Sequence, residues 1–179
     1  MLFRFFAISL LFALASCASL SEDACRSGNW QAIGYNDGAN GRSQNYLNEH
    51  REACVEYGIA PDQTAWLRAR LEGLKQYCTR PNAYQIGRRG SDLNPVCSSD
   101  LAGLKLANFY GLRYYEIRRE IDTLEHELDE TLRILAMDFN GDLTLEQNQL
   151  QKKYFAKTRK LERRIRNLTL DLRKYAEMP

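Results

Sequence analysis

The sequence holds only two histidines, and neither G-x-S-x-G, H-E-x-x-H nor a P-loop occurs in it. These absences remove the common serine hydrolase, zinc protease and nucleotide-dependent classes, so no catalytic residue, cofactor or metal is expected. No apolar run reaches the roughly 20 residues that a permanent membrane-spanning helix needs. Neither charge sign dominates: with Arg4 set aside, 24 Lys and Arg face 23 Asp and Glu, a net of +1. Nothing global therefore points to nucleic acid or to an acidic substrate.

The start of the chain is organised for export. Arg4 precedes an apolar stretch, Phe5 to Ala13, and Leu14-Ala15-Ser16-Cys17 closes it with small residues and a cysteine. That order reads as a signal peptide over residues 1–16 with a lipoprotein cleavage site before Cys17. The Cys17 thiol would carry a diacylglyceryl group and the new amine an acyl chain. Each buried CH₂ contributes about 0.8 kcal/mol, which gives stable anchoring without a helix. Ala18 follows the anchor where inner-membrane lipoproteins usually show Asp, so resemblance to other lipoproteins implies the outer membrane facing the periplasm rather than the inner membrane. Ordinary cleavage after Ala15 is the alternative.

Four cysteines remain, Cys25, Cys54, Cys78 and Cys97. An even count in an exported chain reads as two disulfides. Three connectivities exist, and proximity in sequence favours Cys25 with Cys54 and Cys78 with Cys97. Residues 17–24 read as tether. Residues 25–112 repeat a loose unit of a cysteine, a polar or proline start signal, then an aromatic with small residues. Asp62, Asn82 and Asp100 are candidate helix N-caps. Trp30, Gly34 and Gly38 share one helical face, where absent side chains would admit another backbone or ring. A glycine inside a helix costs about 1 kcal/mol relative to alanine, so close packing is the natural reason for it. The competing reading makes Trp30, Tyr35, Trp66, Tyr77 and Tyr84 an aromatic platform for a glycan or peptide.

The order Asn29-Trp30, Ile33-Gly34-Tyr35, Asp37-Gly38, Gly41-Arg42, His50-Arg51, Cys54, Tyr57-Gly58, Pro61-Asp62, Gly73-Leu74, Tyr77-Cys78-Thr79, Gly87-Arg88, Gly90 and Val96-Cys97 resembles the bacterial lipoprotein family named domain of unknown function 2799. The resemblance covers roughly residues 21–112 and departs from the family at Arg70, which stands where a glycine is usual. It implies an exported, lipid-anchored protein and transfers no activity, cofactor or catalytic residue.

From about Ser99 the pattern changes. Ile117, Ile121, Leu124, Leu128, Thr131 and Leu135 alternate steps of four and three, as do Tyr154, Thr158, Leu161, Ile165, Leu168, Leu172 and Tyr175. This is the seam of a coiled coil, with Gly141 as a stop and Thr144 with Gln147 as a capping box. Residues 116–142 hold nine acids and three arginines, a net of −6, and residues 150–179 hold ten bases and three acids, a net of +7. The expected fold is therefore all-α: a small disulfide-stapled helical domain, then an antiparallel helical hairpin over residues 113–179. Registers one heptad apart are open, and the favoured one opposes Leu124 with Leu161 and Ile121 with Ile165, which keeps the turn near residue 143. The apolar seam holds such a hairpin, and exposed ion pairs of about 0–1 kcal/mol choose the partner arm.

The sequence also carries weaker signals. Asp138, Asn140, Asp142 and Thr144 alternate like calcium-loop oxygens, but Leu143 and Gln149 hold the places where that loop needs Gly and Glu. His50 and Cys54 lie one helical turn apart without a second ligand pair, so a disulfide cysteine beside a surface histidine is preferred to zinc. Asp37 and Glu72 could meet in a cleft. The basic arm could meet anionic lipid headgroups, although a solvated arm paired with its acidic neighbour is the preferred reading. The function expected from all this is a non-enzymatic envelope lipoprotein whose hairpin meets a protein partner or a second copy. A glycan- or peptidoglycan-binding module is the alternative.

Overall fold

The computed structural model describes residues 19–139 and 141–178. The anchor Cys17, the signal segment 1–16 and Asn140 of the turn lie outside the described residues. The protein is all-helical, with seven helices and no strand among the described residues. It divides into two compact units, residues 1–76 and 77–179.

The first unit contains α1 (Glu22–Ser27), α2 (Trp30–Ala39), α3 (Tyr46–Val55) and α4, which runs Gln63–Tyr77 into the boundary. The Ser21 and Asn29 side chains accept from the first-turn amides of α1 and α2. Asp62 does the same for α4, taking the amide of Ala65 at 2.9 Å. The Cys25–Cys54 disulfide ties α1 to α3 and is buried with Trp30, Leu47 and Trp66. The glycine face behaves as its spacing predicts, and its partner is backbone. A Cβ on Gly34 would lie 2.3 Å from the carbonyl oxygen of Trp66, one on Gly38 2.1 Å from that of Arg70, and one on Gly73 2.0 Å from that of Tyr35. Helices α2 and α4 are thus in mutual main-chain contact, each placing carbonyls where the other has no side chain.

The second unit contains α5 (Arg80–Arg88), α6 (Leu101–Asp138) and α7 (Leu145–Arg173). Thr79, not Asn82, caps α5: its hydroxyl accepts the Asn82 amide, while the Asn82 side chain donates back to the Tyr77 carbonyl. Pro81 in the first turn sets the start one register earlier than an Asn82 cap allows. Asp100 does flank α6, but in the left-handed region (φ 49°) and with no capping bond. Arg80 takes its carboxylate instead, Nε donating to Oδ2 at 2.6 Å and Nη2 to Oδ1 at 3.1 Å. The Cys78–Cys97 disulfide closes this corner. The main-chain contact of the first unit recurs between α5 and α6. Cβ atoms on Gly87 and Gly111 would lie 2.2 Å and 2.1 Å from the carbonyl oxygens of Asn108 and Tyr84.

Helix α6 is one unbroken helix that serves both the α5 contact and the hairpin. Ile117, Ile121 and Leu168 form the buried seam, with Leu124, Ile165 and Leu172 against it. Thr131 and Thr158 are also buried there, and each hydroxyl bonds back to the carbonyl four residues earlier. Cross-arm ion pairs Glu120–Arg164 and Glu127–Lys157 step by one heptad in opposite directions. That is the antiparallel register in which Leu124 opposes Leu161. The Thr144–Gln147 capping box starts α7, and Gly141 turns the chain at φ 95°. At the other end the Tyr84 hydroxyl lies 2.7 Å from the carbonyls of Tyr175 and Ala176, and the Tyr110 ring meets that of Tyr175. The open end of the hairpin is therefore fastened to α5 and α6.

Candidate functional site

The first unit buries a polar cluster beneath its disulfide. The Asp37 Oδ2 atom accepts from Trp66 Nε1–H at 2.8 Å and from His50 Nε2–H at 2.8 Å. With Nε2 donating, His50 Nδ1 accepts from the Ser19 hydroxyl, also at 2.8 Å. Helix α2 supplies the carboxylate, α3 the imidazole and α4 the indole, so the cluster forms only when three helices pack. Arg70 is buried beside it and donates from Nε to the Arg42 carbonyl. Burial draws the Arg70 guanidinium below its ordinary value, and the Asp37 charge opposes that shift. A cavity of about 370 Å³ opens next to the cluster, lined by Ser19, Asn36, Asn40, Arg42, Tyr46 and His50 among others.

Hydroxyl, imidazole and carboxylate in a line is the order of an activated serine. Here the two ring nitrogens are exchanged relative to that arrangement. His50 is also only 1% exposed, and Asp37 is shared with Trp66. The chemistry this supports is mechanical: the core grips half-buried Ser19, two residues after Cys17, through the hydrogen-bonded chain of His50 and Asp37. The sequence reading missed it because the residues are scattered and match no motif. The one available signal was that Asp37, His50 and Trp66 all belong to helices with buried faces.

Other sequence-derived candidates fall as follows. His50 is not a surface residue, and Cys54 is spent in a disulfide, so the two do not form a ligand pair. Asp37 and Glu72 do not meet: Glu72 is exposed and pairs with Lys75. Trp30, Trp66, Tyr77 and Tyr84 are buried, Trp66 completely. A stacking platform needs solvent-facing rings, and these rings are occupied by core packing. Tyr35, at 36% exposure, is the outward member of the set. It accepts from the Gln76 amide and lines a cavity of about 450 Å³ with Arg68 and Glu72.

The second unit carries a groove of about 500 Å³ between the 89–100 loop and α6, lined by Leu93, Pro95, Leu101, Leu104, Lys105 and Phe109 among others. The loop is pinned on its α6 side. The Asn108 side chain donates to the carbonyls of Ala83 and Ser91 and accepts from the Leu93 amide, and the Tyr77 hydroxyl accepts from the Asn94 amide. The hairpin offers a different surface. Around its turn, Leu132, Met137, Leu145, Leu150 and Phe155 are all exposed, Met137 and Leu145 by 77% and 78%.

Residues 29–111 match the family model described as Protein of unknown function (DUF2799). The chain is similar to this family over these residues, a little under half of its length. The DUF2799 segment takes in α2 to α5 and the start of α6, and with them Asp37, His50, Trp66, Arg70 and all the glycines of both main-chain contacts. It leaves out Cys25 and the hairpin beyond residue 111. No curated protein and no solved structure matches the chain. No described helix is long and apolar enough to cross a membrane.

Proposed function

We propose that this is a non-enzymatic lipoprotein of the bacterial envelope, anchored through Cys17, whose disulfide-stapled helical region is the base and whose hairpin docks a protein partner. Two disulfides in a chain of 179 residues support an oxidising, exported setting. The observation that carries the docking role is the turn end of the hairpin. The seam is buried or half-buried along its length, yet the large apolar side chains Leu132, Met137, Leu145 and Leu150 of the two arms stay in solvent near the turn. Exposed apolar side chains gathered near one end of a hairpin are candidates for an interaction surface.

The test places a photo-crosslinking residue at Met137 and, separately, at Leu145 in the native envelope, with Leu106 on α6 as the control. One discrete protein adduct from both turn positions and none from Leu106 is the expected result. An adduct with a second copy alone, or the same pattern from all three positions, overturns it. Anchoring is tested separately: Cys17→Ser abolishes acyl labelling and membrane retention if the reading holds.

A further inference from the structure

We propose that the outward face of α7 is a docking surface for an anionic lipid headgroup layer. Lys152, Arg159, Arg166 and Arg173 recur every seven residues, which keeps them on one face of a helix with only about 20° of drift per repeat. Lys153 and Lys160 flank them. All six are exposed and lie opposite the buried seam of Thr158, Leu161 and Leu168. The row spans about 32 Å at 1.5 Å per residue.

The six cations have no carboxylate within ion-pair distance among the described residues. The bases of α7 that do pair are Lys157 and Arg164, which reach across to α6; Lys174, just past its end, holds Asp171. The acids of α6 are largely taken. Glu120 and Glu127 hold those cross-arm pairs, Asp122 and Asp129 pair with Arg118 and Arg133, and Glu116 pairs with Arg113. The acidic arm of a second copy is thus a poor partner for this row. Five of its eight carboxylates are held in ion pairs of its own hairpin, leaving Glu125, Glu130 and Asp138, whereas none of the six α7 cations is in an ion pair among the described residues and Glu162 is the one acid placed among them.

Two apolar side chains stand among the cations, Phe155 at 46% and Leu170 at 58% exposure. A row of basic groups with interleaved Phe and Leu suits a surface that offers phosphates and hydrocarbon together, which a lipid leaflet does. The export implied by the disulfides leaves a membrane, not nucleic acid, as the available polyanion. The inference rests on the envelope reading only for the source of that membrane, because binding is testable without any acyl chain.

The experiment compares full chains that all carry Cys17→Ser, so the N-terminal segment is common and unacylated. They are cosedimented with vesicles of phosphatidylcholine alone or with three parts in ten phosphatidylglycerol. The test variant is Lys152→Gln, Arg159→Gln, Arg166→Gln and Arg173→Gln. The control removes four exposed cations elsewhere, Arg51→Gln, Arg68→Gln, Arg89→Gln and Lys105→Gln, for the same change in net charge. Far-ultraviolet circular dichroism and a thiol assay verify folding and disulfides. Each cation near an anionic surface contributes about fivefold in affinity. The test variant should therefore lose roughly a hundredfold or more of its preference for anionic vesicles, while the control retains most of it, and high salt should erase the difference. Equal binding of the parent to both vesicle types, or equal losses in the two variants, overturns the proposal. Salt-dependent self-association of the parent without vesicle binding does so too, in favour of a second copy.

Discussion

Replacing Gly34 with alanine tests the main-chain contact between α2 and α4 directly. In an isolated helix the change is favourable by about 1 kcal/mol. In this fold the added Cβ would sit 2.3 Å from the Trp66 carbonyl oxygen, well inside the 3.0 Å that real contacts respect, so the helices must part by about 0.7 Å. The obstacle is backbone and cannot rotate away. A gap of that size forfeits a quarter to a half of each dispersion contact along the crossing. It also stretches the Trp66–Asp37 hydrogen bond from 2.8 Å towards the limit of a bond. Overpacking costs about 1–3 kcal/mol and the loosened buried bond about 1 more. After the helix-propensity gain, about 2 kcal/mol of net destabilisation remains. The assay is tryptophan fluorescence during heating, which reports the first unit alone because Trp30 and Trp66 are the only two tryptophans. For a unit of this size the midpoint should fall by about 8 °C or more. A midpoint equal to or above that of the parent would refute the reasoning, because only helix propensity would then be at work.

Removing the Asp37 carboxylate with Asp37→Ala strands His50 Nε2–H, Trp66 Nε1–H and the nearby Arg70 charge. Urea unfolding followed by tryptophan should show a loss of about 3–5 kcal/mol, with Asp37→Asn less severe because it keeps an acceptor. Opening the Cys25–Cys54 loop with two serines should cost about 3–4 kcal/mol by the same signal, given a separation of 29 residues. In the hairpin, Ile121→Ala should cost about 2–4 kcal/mol, whereas Arg164→Gln should change stability by less than about 1 kcal/mol because its pair with Glu120 is exposed. The Arg80 hydrogen bonds hold the Asp100 carboxyl below the usual carboxylate range. Its stabilisation is therefore present above that range and lost as pH falls through the lowered value. Asp100→Asn should flatten the acid limb of a stability–pH profile for the second unit, and an unchanged limb would count against the pair.

The hairpin was legible because its cause is local. A seam of alternating fours and threes, a glycine stop and a capping box each act within one or two helical turns, and the structure places all three where the pattern puts them. The disulfide partners were legible for a related reason, since short separations in sequence cost little to close. The cap of α5 was misassigned by three residues because Thr79 and Asn82 are both capping types, and only the position of Pro81 in the first turn separates them. The aromatic set was ambiguous in sequence, since a ring at helical spacing serves a core or a platform equally well. Burial of Trp30, Trp66, Tyr77 and Tyr84 is a property of which helices meet.

What the sequence determined by itself, then, is the helical class, the presence of a two-armed hairpin and the need for a close approach at the glycines; for the cysteine pairing and the register of α6 on α7 it favoured one of several alternatives, and the structure decided between them. These follow from interactions whose partners are near in the chain or repeat with a fixed period. Tertiary structure alone decided that the close approach is backbone on backbone and that Asp37, His50, Trp66 and Ser19 form one buried chain. It also decided that the cations on the outer face of α7 are left without partners. Each depends on groups brought together by packing between helices far apart in sequence, and no local pattern encodes which of the available faces will meet.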